Sequence, residues 1–383
     1  MPMRQFIQSM TVLAAWTMVG HTCPTVASEQ FDAALQSLRR VGAGTVSQSE
    51  IQHAWNIVAQ GKADQITTIL AAMDDIGPLA ENWLRAAVDT IAERELRNSK
   101  RLPKEELRQF VIDLSNPSRA RRTAFEWLIQ IDPAARDRLL PKMVEDSSLE
   151  LRHDAIAQLI VEAEKAANDD LKRAHYRRSF TAARDLTQTV QCVKSLEKLG
   201  DSQDLEKHFG YVTEWTMIGP FDNTQGAGFD KIFPPEHKLD FAKQYQGKHD
   251  LVRWQSYRSE FQRLEKIGLV DLNEILIEAK GVTAYLAVTF NSAKKQKVQC
   301  RYETVNATKL WINGELLIRK NIYHMGGEFD QYISPATFLP GKNTILLKIC
   351  QNEQTESWAR PWNFRFRITD VLGGGHWPIA VSP

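Results

Sequence analysis

Residues 308–317 read TKLWINGELL, and residues 339–349 read LPGKNTILLKI. The first stretch predicts a strand, a tight turn and a second strand, because Asn313-Gly314 suits a type I′ turn in which both residues take positive φ. The second stretch predicts a turn that leads into a third strand. Three apolar side chains of the hairpin are predicted to face inward, namely Leu310, Ile312 and Leu316. These two stretches therefore predict an antiparallel β architecture for the C-terminal half.

Short alternating segments continue this pattern on both sides of the hairpin. Strands are predicted at 252–257, 269–272, 284–290, 297–304, 310–317, 345–350 and 363–368. No helix of useful length lies between them, and such spacing is typical of an antiparallel β-sandwich. In the last segment apolar and charged residues alternate, which predicts a buried face and a solvated face: Phe364, Phe366 and Ile368 on the first, Arg365 and Arg367 on the second.

The preceding segment, from Ser28 to about Lys207, has helical periodicity. Apolar residues recur every three to four positions, as at Phe31, Leu35 and Leu38, and this spacing forms one buried stripe on a helix. Breaks at Gly and Pro leave room for helices of about 10 to 18 residues. The fold class predicted for the whole chain is therefore multidomain, α then β.

An internal repeat lies within the helical segment. Residues 115–129 align without gaps onto residues 146–160, and residues 82–91 form a weaker copy. The matched pairs are Arg121 with Arg152, Ala124 with Ala155, Leu128 with Leu159 and Ile129 with Ile160. The second copy resembles a HEAT repeat, in which an acidic turn precedes a helix that opens on an arginine. The resemblance implies an α-solenoid, used either as a concave protein-binding surface or as a spacer that carries the β-domain.

The β segments resemble the galactose-binding-like jelly roll of β-galactosidase-type glycoside hydrolases and carbohydrate-binding modules. Residues 284–288, 311–315 and 339–348 carry this resemblance. The run from Trp215 to Trp254 is similar to the opening of such domains in large exported proteins of planctomycete-type bacteria, some of which also carry HEAT-like repeats. The resemblance implies a fold more than a function, because one sandwich hosts many unrelated binding roles.

The N-terminus predicts export. Arg4 supplies a positive region, residues 10–20 are mostly apolar, and residues 25–28 offer small side chains for cleavage after Ala27 or Ser28. An uncleaved anchor and a misplaced start codon are the alternatives. The predicted location is periplasmic or extracellular. The predicted domains are a signal peptide at 1–28, helical repeats at 29–208, the β-sandwich at 211–372 and a C-terminal tail at 373–383.

The charge balance of the chain argues against nucleic-acid binding. There are 48 basic and 47 acidic residues, a formal net charge of +1, which supplies no field to attract a polyanion. No run after the N-terminus is long enough to cross a bilayer, so no integral membrane span is expected. Cys300 and Cys350 have opposite strand parity, so a bridge between them is not favoured, and the cysteines lack the paired spacing of a zinc site.

Candidate glycan-binding residues lie in the loops, since sugars are recognised by an exposed aromatic face together with polar side chains. The aromatic candidates are Trp311, Tyr323, Tyr332, Trp358 and Trp362, and the polar ones are Asn321, Asp330, Arg360 and Asn363. Trp362 shares parity with Phe364, so Trp362 and Trp311 are expected in the core. The predicted ligand-binding set is therefore Trp358, Arg360, Tyr323, Tyr332, Asn321 and Asp330.

A structural calcium ion is the one cofactor considered, with loop carboxylates as donors: Asp222, Asp230 and Glu328. No catalytic motif is present, so the chain is predicted not to be an enzyme. The predicted function is an exported binding protein whose sandwich recognises a glycan or cell-surface polymer. The alternatives are a periplasmic protein–protein scaffold that uses the helical repeats and an accessory subunit of a polysaccharide-degrading system.

Overall fold

A computed structural model describes residues 26–44, 46–98, 101–259, 266–376 and 379–380 of the chain. The predicted signal peptide lies outside these residues except for positions 26–28, which begin the first helix. Helices occupy the N-terminal part and antiparallel strands dominate the C-terminal part, so the predicted α-then-β layout is confirmed. No helix among the residues that the model describes has both the length and the apolar character needed to cross a membrane.

The helices follow one another through short connections. They are α1 (Val26–Arg39), α2 (Gln48–Ala59), α3 (Ile66–Ala71), α4 (Pro78–Arg97), α5 (Lys104–Ile112), α6 (Ser118–Ile131), α7 (Ala134–Leu139), α8 (Leu149–Lys165), α9 (Asp169–Ala182), α10 (Leu186–Lys198) and α11 (Leu205–Phe209), with α12 (Pro234–His237) and α13 (Leu272–Ile275) among the strands. Polar capping residues lie at the N-termini of several helices. Asn168 and Asp185 accept backbone N–H groups at the starts of α9 and α10, which satisfies donors that the helix itself leaves unpaired.

The two copies of the sequence repeat use their matched residues in the same way. Nε of Arg121, on α6, donates to the carbonyl oxygen of Val111 at 2.8 Å, and Nε of Arg152, on α8, donates to that of Asp146 at 2.7 Å. Both arginines are buried, as are the alanines and leucines at the matched positions: Ala124, Ala155, Leu128 and Leu159. Each copy therefore ties its helix to the backbone that precedes it.

The strands are β1 (Glu214–Asp222), β2 (Gln244–Gln246), β3 (Leu251–Arg253), β4 (Gln255–Arg258), β5 (Leu269–Asp271), β6 (Val282–Ser292), β7 (Gln296–Glu303), β8 (Ala307–Ile312), β9 (Glu315–Lys320), β10 (Tyr332–Phe338), β11 (Gly341–Gln351), β12 (Asn363–Thr369) and β13 (Ile379–Ala380). A seven-stranded sheet has the order β4-β1-β6-β11-β8-β9, with β13 also paired to β6. A four-stranded sheet has the order β10-β7-β12-β5, and β2 pairs with β3 separately. All of the neighbouring strands in these sheets are antiparallel.

The inner faces of the two large sheets share one hydrophobic core. Trp215 of β1 packs edge-on against Phe364 and Phe366 of β12, with ring centroids 5.4 and 5.5 Å apart. Trp362 is fully buried in the same core, as its parity predicts. Burial of each such side chain contributes roughly 1.5–3 kcal/mol, so this core provides most of the cohesion between the sheets.

The Asn-Gly hairpin joins β8 to β9 as predicted. Asn313 and Gly314 have φ values of 51° and 85°, the signs that a type I′ turn requires. One inward-facing prediction is wrong, because Leu316 is 45% exposed. Leu316 pairs with Trp311, so the two side chains share the outer face of the sheet, and a register shift then returns Ile318 to the core.

The chain divides into two compact units, residues 1–136 and 137–383. Within the second unit α11 is joined to the four-stranded sheet, since the amide of Ile368 donates to the carbonyl oxygen of Gly210 at 2.8 Å. The predicted passage from helices to strands near residue 210 therefore lies inside this unit.

The cysteines of the sheets are free thiols on opposite faces. Cys300 lies in the core between the sheets, and Cys350 packs on the outer face of the seven-stranded sheet against Phe229. Burial raises the pKa of Cys300 to about 12 and that of Cys350 to about 11, so both thiols stay protonated. The parity prediction is confirmed, and no bridge joins them.

Candidate functional site

Three loops of the second unit contact one another and form what we call the loop cluster, defined by Asn223, Tyr323, His324, Asn352 and Trp358. Asn223 follows β1, the histidine and tyrosine lie between β9 and β10, and the other two residues lie between β11 and β12. The cluster includes one aromatic side chain, Trp358, that is more than half exposed.

Trp358 is 57% exposed and rests on His324. The two rings meet edge to face, with centroids 5.0 Å apart and planes at 88°. Nε2 of His324 lies 2.9 Å from Oδ1 of Asn352 and donates to it, since an amide oxygen can only accept. The amide of Asn352 in turn donates to Oε1 of Gln354 at 2.8 Å. The imidazole is therefore held in one orientation, and the indole above it presents more than half of its surface to solvent.

Tyr323 is half-buried and is hydrogen-bonded within the loop cluster. Its hydroxyl accepts a hydrogen bond of 3.2 Å from Nδ2 of Asn223, which also donates to the carbonyl oxygen of Gln351 at 3.0 Å. Burial raises the pKa of Tyr323 to about 12. The phenol thus fixes the loop to the end of β11 and contributes less open surface than Trp358.

Arg360 lies two residues beyond Trp358 with an exposed side chain, and its carbonyl oxygen accepts from the amides of Asn273 and Gln351. Nζ of Lys280 donates to the carbonyl oxygen of Ala359 at 2.7 Å. Burial, and then the charge of Arg360, lowers the pKa of Lys280. An exposed arginine therefore follows the exposed indole by two residues, on backbone that is well anchored.

The other three predicted ligand residues lie elsewhere or contribute little to the cluster. Asn321 is exposed where the β9–β10 loop begins. Tyr332 packs against the core, with its ring centroid 5.0 Å from that of Tyr302. Asp330 is directed to the outer face of the four-stranded sheet. The structure thus brings together Tyr323 and Trp358, which both contact His324, and Arg360 follows Trp358 by two residues.

Asp330 is the centre of what we call the arginine clamp, formed by Arg301, Arg367 and Asp330. Nε of Arg367 donates to Oδ1 of Asp330, and Nη1 of Arg301 donates to Oδ2, each at 2.6 Å. Arg367 is 2% exposed, so the predicted solvated position is wrong for this residue. The reason is that Phe329 covers it, with the guanidinium carbon 4.4 Å from the ring centroid.

A second buried charge lies on the outer face of the seven-stranded sheet. This lysine clamp consists of Lys348, Glu236 and Tyr285. Nζ of Lys348 donates to Oε1 of Glu236 at 2.8 Å and to the carbonyl oxygens of Phe229 and Lys231 at 3.0 and 2.8 Å. The hydroxyl of Tyr285 also donates to Glu236. Burial lowers the pKa of Lys348, and three acceptors satisfy its three N–H groups, so its role is to fasten the covering segment.

The carboxylates considered for calcium face cations or solvent. Asp222 is hydrogen-bonded to Thr224 and lies 3.4 Å from Nζ of Lys248. Asp230 lies 2.6 Å from Arg319, whose hydrogen bond lowers the pKa of this carboxyl. Glu328 is exposed. Within the described ranges no three His, Cys, Asp or Glu side chains are grouped so that they could hold a metal ion.

Two depressions of the second unit lie away from the loop cluster. A groove of about 790 Å³ runs beside β10 and β9 and is lined in part by Lys297, Leu317 and Ala336. A cleft of about 250 Å³ lies between α10 and the outer face of the four-stranded sheet. Its charged lining includes Glu303 and Arg365, which are already paired with each other.

Sequence reasoning missed His324 and Asn352, the two residues that support the exposed indole. The only local signal was the position of His324 next to Tyr323. Its partner Asn352 is 28 residues further along the chain, so no short motif could join them.

No family model matches the chain, and no curated protein matches it either. Among solved structures, the chain is similar to β-glucosidase from Kluyveromyces marxianus in complex with glucose, at 11% identity and a TM-score of 0.29. That match covers 73% of this chain and 36% of the enzyme. The selenomethionine-labelled enzyme matches at 10% identity and a TM-score of 0.27, over 79% of this chain and 37% of its own. The chain therefore spans little more than a third of the length of these structures.

Proposed function

We propose that this chain is an exported binding protein that recognises a glycan through the loop cluster, with Trp358 as the stacking platform. The observation that carries the proposal is the exposed indole held edge to face on His324. A sugar ring binds an aromatic surface well when that surface is already rigid, because little side-chain freedom is then lost on binding.

Polar groups around the indole suit the hydroxyls of a glycan. Arg360 is exposed two residues after Trp358, and Gln354 is exposed next to the side-chain amide of Asn352. Each can exchange hydrogen bonds with water for hydrogen bonds with a sugar. This combination of one apolar platform and several neutral or cationic donors is what an oligosaccharide requires.

The finer features of the fold belong to the same proposal. We propose a HEAT-like solenoid for the helical part, supported by the equivalent contacts of Arg121 and Arg152. We propose a galactose-binding-like jelly roll for the strands, supported by two antiparallel sheets around one core. A jelly roll presents loops at the ends of its strands, which is where the cluster lies.

Affinity electrophoresis of the purified full chain tests the proposal, with gels that contain hydroxyethyl cellulose, galactomannan, xyloglucan or pectin. We expect at least one polysaccharide to retard the protein. Trp358→Ala should then weaken binding roughly tenfold, because loss of one stacking contact is worth about 1.4 kcal/mol.

Leu114→Ala is the matched control, since Leu114 is an apolar side chain of the other unit that is also more than half exposed. Its mobility should equal that of the unaltered chain in every gel. Absence of retardation across all four polysaccharides, or equal retardation of the Trp358→Ala variant, would overturn the proposal.

A further inference from the structure

The loop between β9 and β10 has an unusually strained backbone. His324 and Asp330 have φ values of 59° and 58°, in the left-handed region that side chains with a Cβ rarely adopt. Gly326 and Gly327 also have positive φ. A non-glycine residue in this region costs on the order of 1 kcal/mol, so the conformation persists only where surrounding contacts impose it.

The contacts that impose it are concentrated at the two ends of the loop. At one end the amide of His324 donates to the carbonyl oxygen of Val305 at 2.6 Å, and its ring is held by Asn352. At the other end the carboxylate of Asp330 is held by Arg301 and Arg367.

Gln331 braces the middle of the loop. Its Oε1 accepts from the amides of Thr304 and Gly327 at 3.2 and 3.0 Å, and its Nε2 donates to the carbonyl oxygen of Met325 at 3.2 Å. Gln331 therefore joins the middle of the loop to the backbone just after β7.

In the arginine clamp, the side chains that hold Asp330 are themselves held by other contacts. Arg301 and Arg367 project from neighbouring paired strands, and Nη1 of Arg367 also donates to the carbonyl oxygens of Phe209 and Gly373 at 3.1 and 3.0 Å. Gly373 packs so closely that a Cβ there would lie 2.7 Å from Nη1 of Arg301. The two guanidinium groups are thus held by contacts besides Asp330, and both donate to its carboxylate.

We propose that Asp330 is a positioning residue: its seat in the arginine clamp holds the strained β9–β10 loop so that His324 supports Trp358. Asp330 then contributes to ligand recognition through this loop and has no contact with the ligand. Its consequence for binding rests on the proposed glycan function, whereas its effect on Trp358 is independent of any ligand.

Fluorine NMR of the full chain labelled with 5-fluorotryptophan tests the positioning role without a glycan. The Trp358 resonance is assigned as the one missing from Trp358→Phe. In Asp330→Ala we expect this resonance to shift or broaden, while the resonance of the core residue Trp362 keeps its position and reports that the unit is folded.

Glu236→Gln is the matched control, because Glu236 is the acid of another buried clamp, and its hydrogen bonds among the described residues join it to Lys348 and Tyr285. Its Trp358 resonance should be unchanged. Asp330→Asn provides a second variant that tolerates the left-handed backbone and keeps hydrogen-bonding capacity, and it should produce a smaller shift in the same direction. If Asp330→Ala does not fold, the shift of the Trp358 resonance in Asp330→Asn tests the positioning role instead.

An unchanged Trp358 resonance in a folded Asp330 variant would overturn the positioning role, as would an equal shift in Glu236→Gln. Binding is measured afterwards with the polysaccharide that retards the unaltered chain. Asp330→Ala should weaken it up to about tenfold, and addition of Trp358→Ala should cause no further loss. If no polysaccharide binds, the glycan function fails while the NMR result still decides the positioning role.

Discussion

The arginine clamp and the lysine clamp are two buried charged clusters on the outer faces of the two sheets, and they stabilise different things. The lysine clamp joins β11 to residues 229–236, a segment that covers the seven-stranded sheet. The arginine clamp joins two strands to a strained loop whose far end carries His324. Similar ion-pair chemistry therefore fastens a covering segment in one place and, in our proposal, supports a surface site in the other.

Removal of the central acid of the arginine clamp should have the largest effect on stability. Asp330→Ala leaves two buried guanidinium groups without their carboxylate, and the loss of a partner from a buried ion pair costs about 4 kcal/mol. Urea denaturation, followed by near-ultraviolet circular dichroism, measures the loss in the second unit. A loss below about 1 kcal/mol would mean that solvent reaches the clamp and that its burial is not what holds the loop.

Removal of the base of the lysine clamp should have the next largest effect. Lys348→Met keeps the volume of the side chain but removes one of the two donors to Glu236 and leaves two carbonyl oxygens without a donor, which costs roughly 3 kcal/mol. Tyr285 continues to donate to Glu236, so the carboxylate keeps one hydrogen bond. The expected loss of stability is therefore smaller than in Asp330→Ala. The same denaturation experiment applies. Altered glycan retardation in this variant would contradict the view that the lysine clamp is separate from the site.

Acid should act on the surroundings of the arginine clamp, because the buried His208 lies near Arg367. His208 stacks on Phe180 at 4.2 Å, and burial, followed by the charges of Arg184 and Arg367, lowers its pKa to about 4. The unfolded chain binds a proton below about pH 6.5, while the folded protein does so only near pH 4. The stability that this neutral imidazole contributes is therefore present above pH 6.5 and is lost as the pH falls towards 4.

The expected loss between pH 7 and pH 5 is about 2 kcal/mol from this one group. The urea midpoint of the second unit, measured at several pH values, follows it. His208→Phe keeps an aromatic ring on Phe180 and removes the titration, so its stability should change much less over this interval. Equal pH dependence in both proteins would place the responsible group elsewhere.

Removal of an exposed ion pair should have the smallest effect on stability. Arg319 and Asp230 are 2.6 Å apart at the surface, yet both side chains are more than half exposed. Water and salt screen such pairs, so Arg319→Ala should change the free energy of unfolding by less than about 1 kcal/mol. A larger loss would show that proximity alone, without burial, accounts for the strength of the two clamps.

The local sequence pattern was enough to predict the β8–β9 hairpin and part of the core of the β region. The hairpin at Asn313-Gly314 follows from turn chemistry, and the burial of Trp362 follows from strand parity, so both could be read from a few neighbouring residues. The inward prediction for Leu316 failed because the two-residue turn pairs Leu316 with Trp311, whose side chain lies on the outer face. The register shift comes after Leu316 and changes the parity only from Leu317 onward, which returns Ile318 to the core.

The candidate site was predicted in part. Trp358 is exposed, as a loop aromatic before the last strand suggested, and Tyr323 and Arg360 lie near it. Asp330 could not be placed from sequence, because a loop carboxylate serves equally as a ligand donor, a metal donor or an ion-pair partner. Its partner Arg367 is 37 residues away and lay on a face that alternation alone would leave in water.

The sequence by itself determined the order of helices and strands, the repeat with its matched arginines and the turn that joins β8 to β9, because each depends on interactions between residues close in the chain. Tertiary structure alone decided which charges are buried and what supports Trp358. Glu236 and Lys348 are 112 residues apart, and their pairing depends on which segment covers which face of a sheet. That choice is made by packing of the whole unit, and no local pattern encodes it.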